Sequence, residues 1–372
     1  MKTIVFVANI GLVVDSFIKD YLISLSSSYN VILIYNTIDS DKSLYIKNNI
    51  TVIHYDIKRK YSFSDFKLFF FLFKCLNNFK ADVVISITPK IAFLAHMAAF
   101  IARIKIRIHF FTGQLWYNKI GFMRFVYKKF DKLIFGLVTH RLIDSVSQRN
   151  FLHSEGFNVE LNTFTYSPGS ICGVDYYKFA PNNNIRKAIR ERLGLKDEIV
   201  FLYLGRIDRE KGIDFLISSF KKLAIDNICL LLVGPDEMEV EKHLANSLSS
   251  SKIIYIPFTN VPQHYYAASD IFCYLSEREG FGLAVAEASA SALPVIGSKI
   301  VGLTDAIIDN ETGFLVNTFD ANEVILKMTL LANSNKLRTE MGIRGRKFVM
   351  EKLSKNIVVD QNITFIKNSI NS

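Results

Sequence analysis

Ser276-Glu-Arg-Glu-Gly-Phe-Gly-Leu-Ala-Val-Ala-Glu-Ala-Ser-Ala-Ser-Ala-Leu-Pro-Val-Ile-Gly297 joins a strand to a helix and then to a second strand. The apolar run Ile271–Leu275 before it predicts a buried strand. Leu283–Ala292 predicts a helix of good formers, ended by Leu293-Pro294. Between strand and helix lies the turn Glu279-Gly280-Phe281-Gly282. Its two glycines let backbone approach a ligand, and the N–H groups that open the helix lack partners within it. That combination suits an anion, above all a phosphate. Glu279 and Glu287 frame the turn, with seven residues between them. A carboxylate beside a phosphate would repel it, so these acids are read as holding hydroxyls. A nucleotide sugar offers both groups.

The same residues carry a family likeness. Glu279 to Glu287 resembles the E-x7-E signature of the retaining nucleotide-sugar glycosyltransferases of family 4, and EGFGLAVAEA…LPVI is close to that family's wording. The resemblance implies an α/β protein of GT-B fold: two Rossmann-like domains facing a cleft, with a C-terminal helix crossing back to the first. It also implies transfer, with retention, of a hexosyl or N-acetylhexosaminyl group from a nucleotide sugar, a UDP-sugar foremost. The implied setting is bacterial O-antigen, capsule or exopolysaccharide assembly; a lipid-linked saccharide is the acceptor expected from the basic, aromatic segments of the first half.

Outward from this stretch, the apolar pattern alternates strands with helices along the whole chain. Expected strands in residues 1–165 are Thr3–Val7, Asn30–Tyr35, Val52–His54, Asp82–Ile87, Ile106–Phe111 and Leu142–Ser147. Expected helices are Asp15–Leu25, Phe63–Leu76, Ile91–Ile101 and Asn150–Glu155. Near-continuous apolar strands in a βα alternation predict a parallel sheet covered on both faces. Residues 166–184 turn to Pro, Gly and Asn and read as a linker. Within it Gly173-Val-Asp175…Phe179-Ala-Pro181 resembles the segment that joins the two family-4 domains. A second series, residues 185–355, repeats the pattern with strands Ile199–Leu204, Ile228–Val233, Ile253–Ile256, Ile271–Leu275, Pro294–Ile296 and Phe314–Val316. Helices Ala321–Ala332 and Lys336–Leu353 close it, and about 356–372 is expected to return to the first domain.

The strand Ile199–Leu204 leads into Gly205-Arg-Ile-Asp-Arg-Glu-Lys-Gly212. Open α/β sheets bind ligands at the carboxyl ends of their strands. Arg206 and Lys211 lie in such a loop and can neutralise a diphosphate, Arg as a fork and Lys as a point charge. Spacing alone leaves open a solvated loop paired internally with Asp208 and Glu210; G-R-x-x-x-x-K-G followed by E-x7-E resembles the family's phosphate site. The resemblance then implies that Glu279 orients sugar hydroxyls, that Glu287 holds the ribose diol, and that the N–H groups of Gly280, Phe281, Gly282 and Leu283 hold the β-phosphate. Fixed donors aimed where charge develops on the leaving group act on the transition state. Gly234-Pro235 turns at the same edge. Phe258 and Val261, after the next strand, are the candidates for base contact, against a core role for the aromatic. No Asp-x-Asp motif stands at an equivalent edge, so no divalent metal or other cofactor is expected.

In the first half Ala8-Asn9-Ile-Gly11 resembles the family's acceptor-facing glycine loop. His109, ending another strand, is set beside the family's sugar-contacting histidine, against a core histidine; Thr112 and Gly113 are the alternatives. Met1-Lys2 runs straight into a strand, so no secretory signal is expected. The longest apolar run, Ile91–Ile101, is about two-thirds of a membrane span, so no transmembrane segment is expected. Cys75, Cys172, Cys229 and Cys273 are scattered and read as buried free thiols of a reducing compartment.

Charge is uneven. Residues 1–150 hold 21 Lys and Arg against 9 Asp and Glu, whereas residues 151–372 hold 24 against 26. The positive field therefore serves a partner of the first half. Two segments, Phe63–Lys74 and Gly121–Ile134, mix aromatics with Lys and Arg as an interfacial helix on anionic lipid does. The alternative is a helix with a Phe core face and solvated lysines. The expected location is peripheral, on the cytoplasmic face of the inner membrane. No nucleic-acid motif appears. A nucleotide-sugar epimerase or phosphorylase would fit the fold but not the paired motifs, and a dinucleotide oxidoreductase lacks G-x-G-x-x-G after the first strand.

Overall fold

The computed structural model describes residues 1–37, 41–57, 64–240, 242 and 252–371. The chain divides into two units, Met1–Cys172 with Asn356–Ser372, and Gly173–Lys355. The division falls inside the Pro- and Gly-containing stretch 166–184.

The first unit is built on seven parallel strands: β1 Thr3–Ile10, β2 Asn30–Asn36, β3 Thr51–His54, β4 Val83–Ser86, β5 Ile106–Phe111, β6 His140–Ile143 and β7 Thr163–Phe164. Their order is β3-β2-β1-β4-β5-β6-β7. Alternation along β1 makes two cores: Ile4, Phe6 and Ala8 face one layer, Val5 and Val7 the other. Helix Lys355–Asn371 adds Val359, Ile363, Ile366 and Ile370 to the first layer, so the chain end returns to this sheet. Asn362 fixes it there, its Nδ2 donating to the Tyr21 hydroxyl (2.7 Å) and the Ile171 carbonyl (3.1 Å).

Several expectations shift here. β1 runs on through Asn9, and Gly11 opens a short helix, Gly11–Val13, that passes into a wide turn, Val14–Ile18. No glycine loop therefore separates strand from helix. The strand expected over Leu142–Ser147 ends at Ile143, because the Ser145 hydroxyl accepts from Gln148 N and caps a helix, Val146–Ser154. The Phe-rich helix is Ser64–Asn78; its expected first residue, Phe63, lies outside the described residues.

The second unit holds β8 Ile199–Leu204, β9 Ile228–Val233, β10 Lys252–Ile256, β11 Ile271–Tyr274, β12 Val295–Ser298 and β13 Gly313–Val316. They are all parallel, in the order β10-β9-β8-β11-β12-β13. The helix after β11 spans Leu283–Ala290 and stops two residues early, with Ala292 in the left-handed region (φ 57°) ahead of Leu293-Pro294. Both sheets reverse their winding beside their first strand, the doubly wound pattern that leaves a crevice at the carboxyl edge.

Candidate active site

In the second unit the winding reverses between β8 and β11, so the loops leaving these two strands meet. The β8 loop is shaped by its own residues. Asp208 Oδ1 accepts from Lys211 N (3.0 Å) and caps a single turn, Arg209–Lys211. Gly212 follows at φ 67°, where a Cβ would stand 2.2 Å from the Leu275 carbonyl oxygen. That close approach lays the β8 loop on the end of β11. Further bonds lace the two loops: Glu277 N donates to Glu210 O (2.8 Å), and Arg278 pairs with the Glu210 carboxylate (2.8 Å).

Lys211 Nζ lies 2.5 Å from Glu279 Oε1, with only 16% and 13% of the two side chains exposed. The residues singled out in separate motifs are thus one ion pair. The Tyr274 phenol also hydrogen-bonds Glu279, and its ring lies under the ammonium, 5.7 Å from Nζ. Arg206 pairs with Asp208 (2.9 Å) and more loosely with Glu237 after β9 (3.5 Å). An ammonium has three donors and a guanidinium five, so Lys211 and Arg206 keep donors for a ligand.

Gly282 (φ 87°) sits at the start of helix Leu283–Ala290, with Gly280 and Leu283 half-buried beside it. The Phe281 side chain is buried, so only its backbone can serve a ligand. Glu287 is half-buried, and its Oε2 accepts from the Tyr266 hydroxyl (3.1 Å). Burial pushes its carboxyl up to about 7, against the Tyr266 hydrogen bond and the Lys178 charge, which lower it. Gly205 and Gly234 end β8 and β9, where a Cβ on Gly234 would stand 1.9 Å from the Gly205 carbonyl oxygen. Phe258 and Val261 follow β10 and are 61% and 40% exposed, so neither is core. Apart from Lys178, these residues all follow the carboxyl end of a strand in one parallel sheet.

His109 is a correction. Its ring is buried in the first unit, where Nδ1 is 2.8 Å from the Ser86 hydroxyl, which also meets His96 Nε2 at 2.8 Å. Burial holds its imidazole down to about 3, so it stays neutral. It is a core histidine and leaves the catalytic set. Thr112 and Gly113 (φ 101°), just beyond β5, are half-buried. Asn9 lies within β1, where its own Oδ1 accepts from Ile10 N, and Gly11 is buried, so neither forms the loop expected of them.

The sequence reading missed four residues. Tyr203 and Tyr274 occupy the same place in Phe-Leu-Tyr-Leu and Phe-Cys-Tyr-Leu, and their rings stack at 5.7 Å across adjacent strands. That repeated tyrosine in two apolar strands was the available signal. Tyr266 could be found only from its bond to Glu287. Gly302 (φ 94°), after β12, would place a Cβ 2.6 Å from the Gly280 carbonyl oxygen and so backs the glycine turn.

Among the described residues no group of three His, Cys, Asp or Glu side chains is placed to hold a metal ion. None of the four cysteines is in a disulfide, and three of them are buried. No described helix is long and apolar enough to cross a membrane.

Comparison with known proteins agrees with this geometry. The model of the family "Glycosyl transferases group 1" matches residues 185–348. The chain is 30% identical over 318 residues to the capsular polysaccharide biosynthesis glycosyltransferase CapM of Staphylococcus aureus, covering 82% of this chain and 83% of that one. A GDP-mannose-dependent phosphatidylinositol monomannoside mannosyltransferase of Mycolicibacterium smegmatis is 28% identical, over 48% of this chain and 50% of its own. In fold, the chain resembles Anabaena HepE in complex with UDP and glucose (TM-score 0.81, 15% identity, 99% of this chain and 100% of that one). It also resembles the sucrose-phosphate synthase of Thermosynechococcus elongatus (TM-score 0.82, 18% identity, 99% of each). These likenesses, the two doubly wound sheets and the joined motifs make the chain a GT-B glycosyltransferase, a member of the glycosyl transferases group 1 family with relatives in bacterial polysaccharide synthesis.

Proposed function

We propose that the protein moves a hexosyl or N-acetylhexosaminyl group, with retention, from a UDP-sugar to a lipid-linked saccharide in bacterial O-antigen, capsule or exopolysaccharide assembly. The observation that carries this reading is the Lys211–Glu279 pair at the reversal between β8 and β11, beside the Gly280–Gly282 turn. In the proposed reaction the bond from the sugar's anomeric carbon to the β-phosphate oxygen breaks, and the acceptor oxygen bonds to that carbon on the same face. The acceptor proton passes to the departing phosphate. Lys211, Arg206 and the backbone N–H groups of residues 280–283 meet the charge that grows on the diphosphate, and act mainly on the transition state. Glu279 orients the sugar hydroxyls and Glu287 the ribose diol. Exposed Phe258 and Val261 are assigned to the base.

No divalent ion is assigned, because two cationic side chains at the phosphate edge supply the neutralisation a metal would. The donor class is supported by HepE, whose structure holds UDP and glucose, and the capsule role by CapM. The acceptor is assigned to the first unit, with Thr112 and Gly113 as its candidate contacts. A peripheral place on an anionic inner-leaflet surface is supported by helix Gly121–Leu137, on which Phe122, Met123, Phe125, Val126 and Leu133 are all exposed. Thermal-shift titration with UDP, GDP, ADP and their sugars, with EDTA present, tests the donor. Stabilisation by UDP and UDP-sugars alone is expected, and a preference for GDP or ADP, or a need for Mg²⁺, would overturn the corresponding part.

A further inference from the structure

The second unit has another cavity, of about 450 Å³, which shares Tyr266 with the site described so far. Its lining includes Ser269 and Asp270, just ahead of β11, and Leu293 and Pro294, just ahead of β12, so it opens at the amino edge of the strands. The donor edge is the carboxyl one, and the two openings are distinct.

The cavity's charge is unbalanced. Arg186 and Arg338 line it, and Asp270 is the only acid in the lining among the described residues. Asp270 is already committed to other groups. It takes Arg186 at 2.7 Å, Arg190 at 3.4 Å and the backbone N–H of Val200 at 2.9 Å. Two guanidiniums thus share one carboxylate, and no ion pair joins Arg338 to an acid among the described residues. Arg186 is a fixed brace, its Nη1 donating to the Ala267 and Ser269 carbonyls. Arg338 is different: its Nη1 donates to the Leu331 and Ala332 carbonyls, and no further hydrogen bond engages Nε or Nη2 among the described residues. Burial holds this guanidinium below its ordinary value, with Asp270 raising it and Arg186 lowering it. Positive charge held partly out of water is stabilised by an anion bound beside it. Asn183, Asn335 and Thr339 add neutral donors around the same space. A cavity of this volume lies within the range of small-molecule sites and admits more than an inorganic ion.

We infer that this cavity is a second ligand site, for a small soluble phosphomonoester such as a sugar phosphate, with Arg338 as its principal anchor. Arg rather than Lys suits the task, since its planar fork matches phosphate oxygens. The inference does not depend on which donor the carboxyl edge takes.

The test is calorimetric titration of the full chain with glucose 6-phosphate and with inorganic phosphate, using glucose as the uncharged control. Saturable binding of glucose 6-phosphate is expected, weaker binding of phosphate, and none of glucose. Arg338→Gln should weaken the phosphomonoester at least about tenfold, the loss of a charge-assisted fork. Asn183→Asp, at an exposed lining position, adds a competing negative charge without disturbing the fold and should also weaken it several-fold. Lys211→Ala, at the carboxyl edge, should leave it unchanged. The inference fails if neither anion binds saturably. It fails equally if Lys211→Ala abolishes binding, or if Arg338→Gln and Asn183→Asp both leave it intact. Should Arg338→Gln prove unfolded, Asn183→Asp decides alone.

Discussion

Burial holds the Glu287 carboxyl near 7, and this gives the site a pH dependence with a definite sign. Between the ordinary glutamate value and about 7, the folded chain keeps a proton that the unfolded chain has lost. Its contribution to stability is therefore fully present at low pH and is lost as pH rises through that window. At neutral pH and above, ionised Glu287 costs on the order of 1–3 kcal/mol, the lower figure allowing for its residual exposure. Glu287→Gln should flatten this slope, leaving stability at pH 8 equal to or above wild type in denaturant titration. Binding should respond the other way. An ionised carboxylate accepts from both hydroxyls of a diol, whereas its protonated form has lost an acceptor. UDP affinity, measured by calorimetry, should rise towards pH 8 in wild type and should be weaker and flatter in Glu287→Gln. Comparing the two chains cancels the titration of the nucleotide itself. At Lys211 and Glu279, removing either side chain should lower transfer by about 10²–10³-fold, the usual scale for a lost transition-state donor. Circular dichroism should show each variant folded. The sequence made these charged residues legible because each sits in a motif with a fixed place on a strand-end loop. It could not settle His109, because a histidine inside a strand end is equally compatible with a ligand and with a buried hydrogen-bond chain. Only the Ser86 and His96 contacts separate the two.

Single backbone approaches hold the elements in place. A Cβ at Gly212 would stand 2.2 Å from the Leu275 carbonyl oxygen at the end of β11, and the Lys211–Glu279 pair depends on the close packing that its absence permits. A methyl at Gly212 would meet main chain rather than a movable side chain, in a left-handed conformation that alanine adopts poorly. Gly212→Ala should therefore cost at least about 2 kcal/mol and reduce transfer by more than its stability loss explains. The check is activity per folded molecule at a temperature where denaturant titration shows the variant fully native. Periodicity alone placed β5, β8 and β9 to the residue, because buried parallel strands are continuous apolar runs bounded by polar turns. It failed where side-chain capping decides the boundary, as at Ser145, and where a strand has only two residues, as in β7. Tyr266 was invisible for a related reason. Its role is a contact with a helix twenty-one residues away, and no local pattern encodes it.

At the scale of the molecule, the uneven charge and the exposed aromatics call for one explanation. The two candidate helices turn out to differ. On Ser64–Asn78, Phe69, Phe71 and Phe73 pack against the second core layer, and only Phe66 and Phe70 among its phenylalanines are largely exposed, ring against ring. On Gly121–Leu137 the inward side chains are Asp131, Ile134 and Phe135, while Ile120 just before it and five apolar residues along it face solvent. Phe122, Val126, Lys129 and Leu133 recur at spacings of four, three and four, one face of the helix. Arg124 and Lys128 are tied to Glu155 at 2.5 Å each, leaving Lys129 and Lys132 as the basic fringe that would meet lipid phosphates. An apolar stripe with a basic border is the form of a helix lying in a membrane surface. Flotation with anionic and with neutral liposomes should then show binding that requires anionic lipid at low salt, because the charge draws the chain in. High salt should weaken the attraction without abolishing it, since the Debye length shortens while the apolar contribution remains. Phe122→Ser with Phe125→Ser should release the protein at every salt concentration and leave UDP binding untouched. Phe66→Ser with Phe70→Ser should change little. If the second pair releases it and the first does not, the surface is the other helix; if neither does, these aromatics serve something other than lipid.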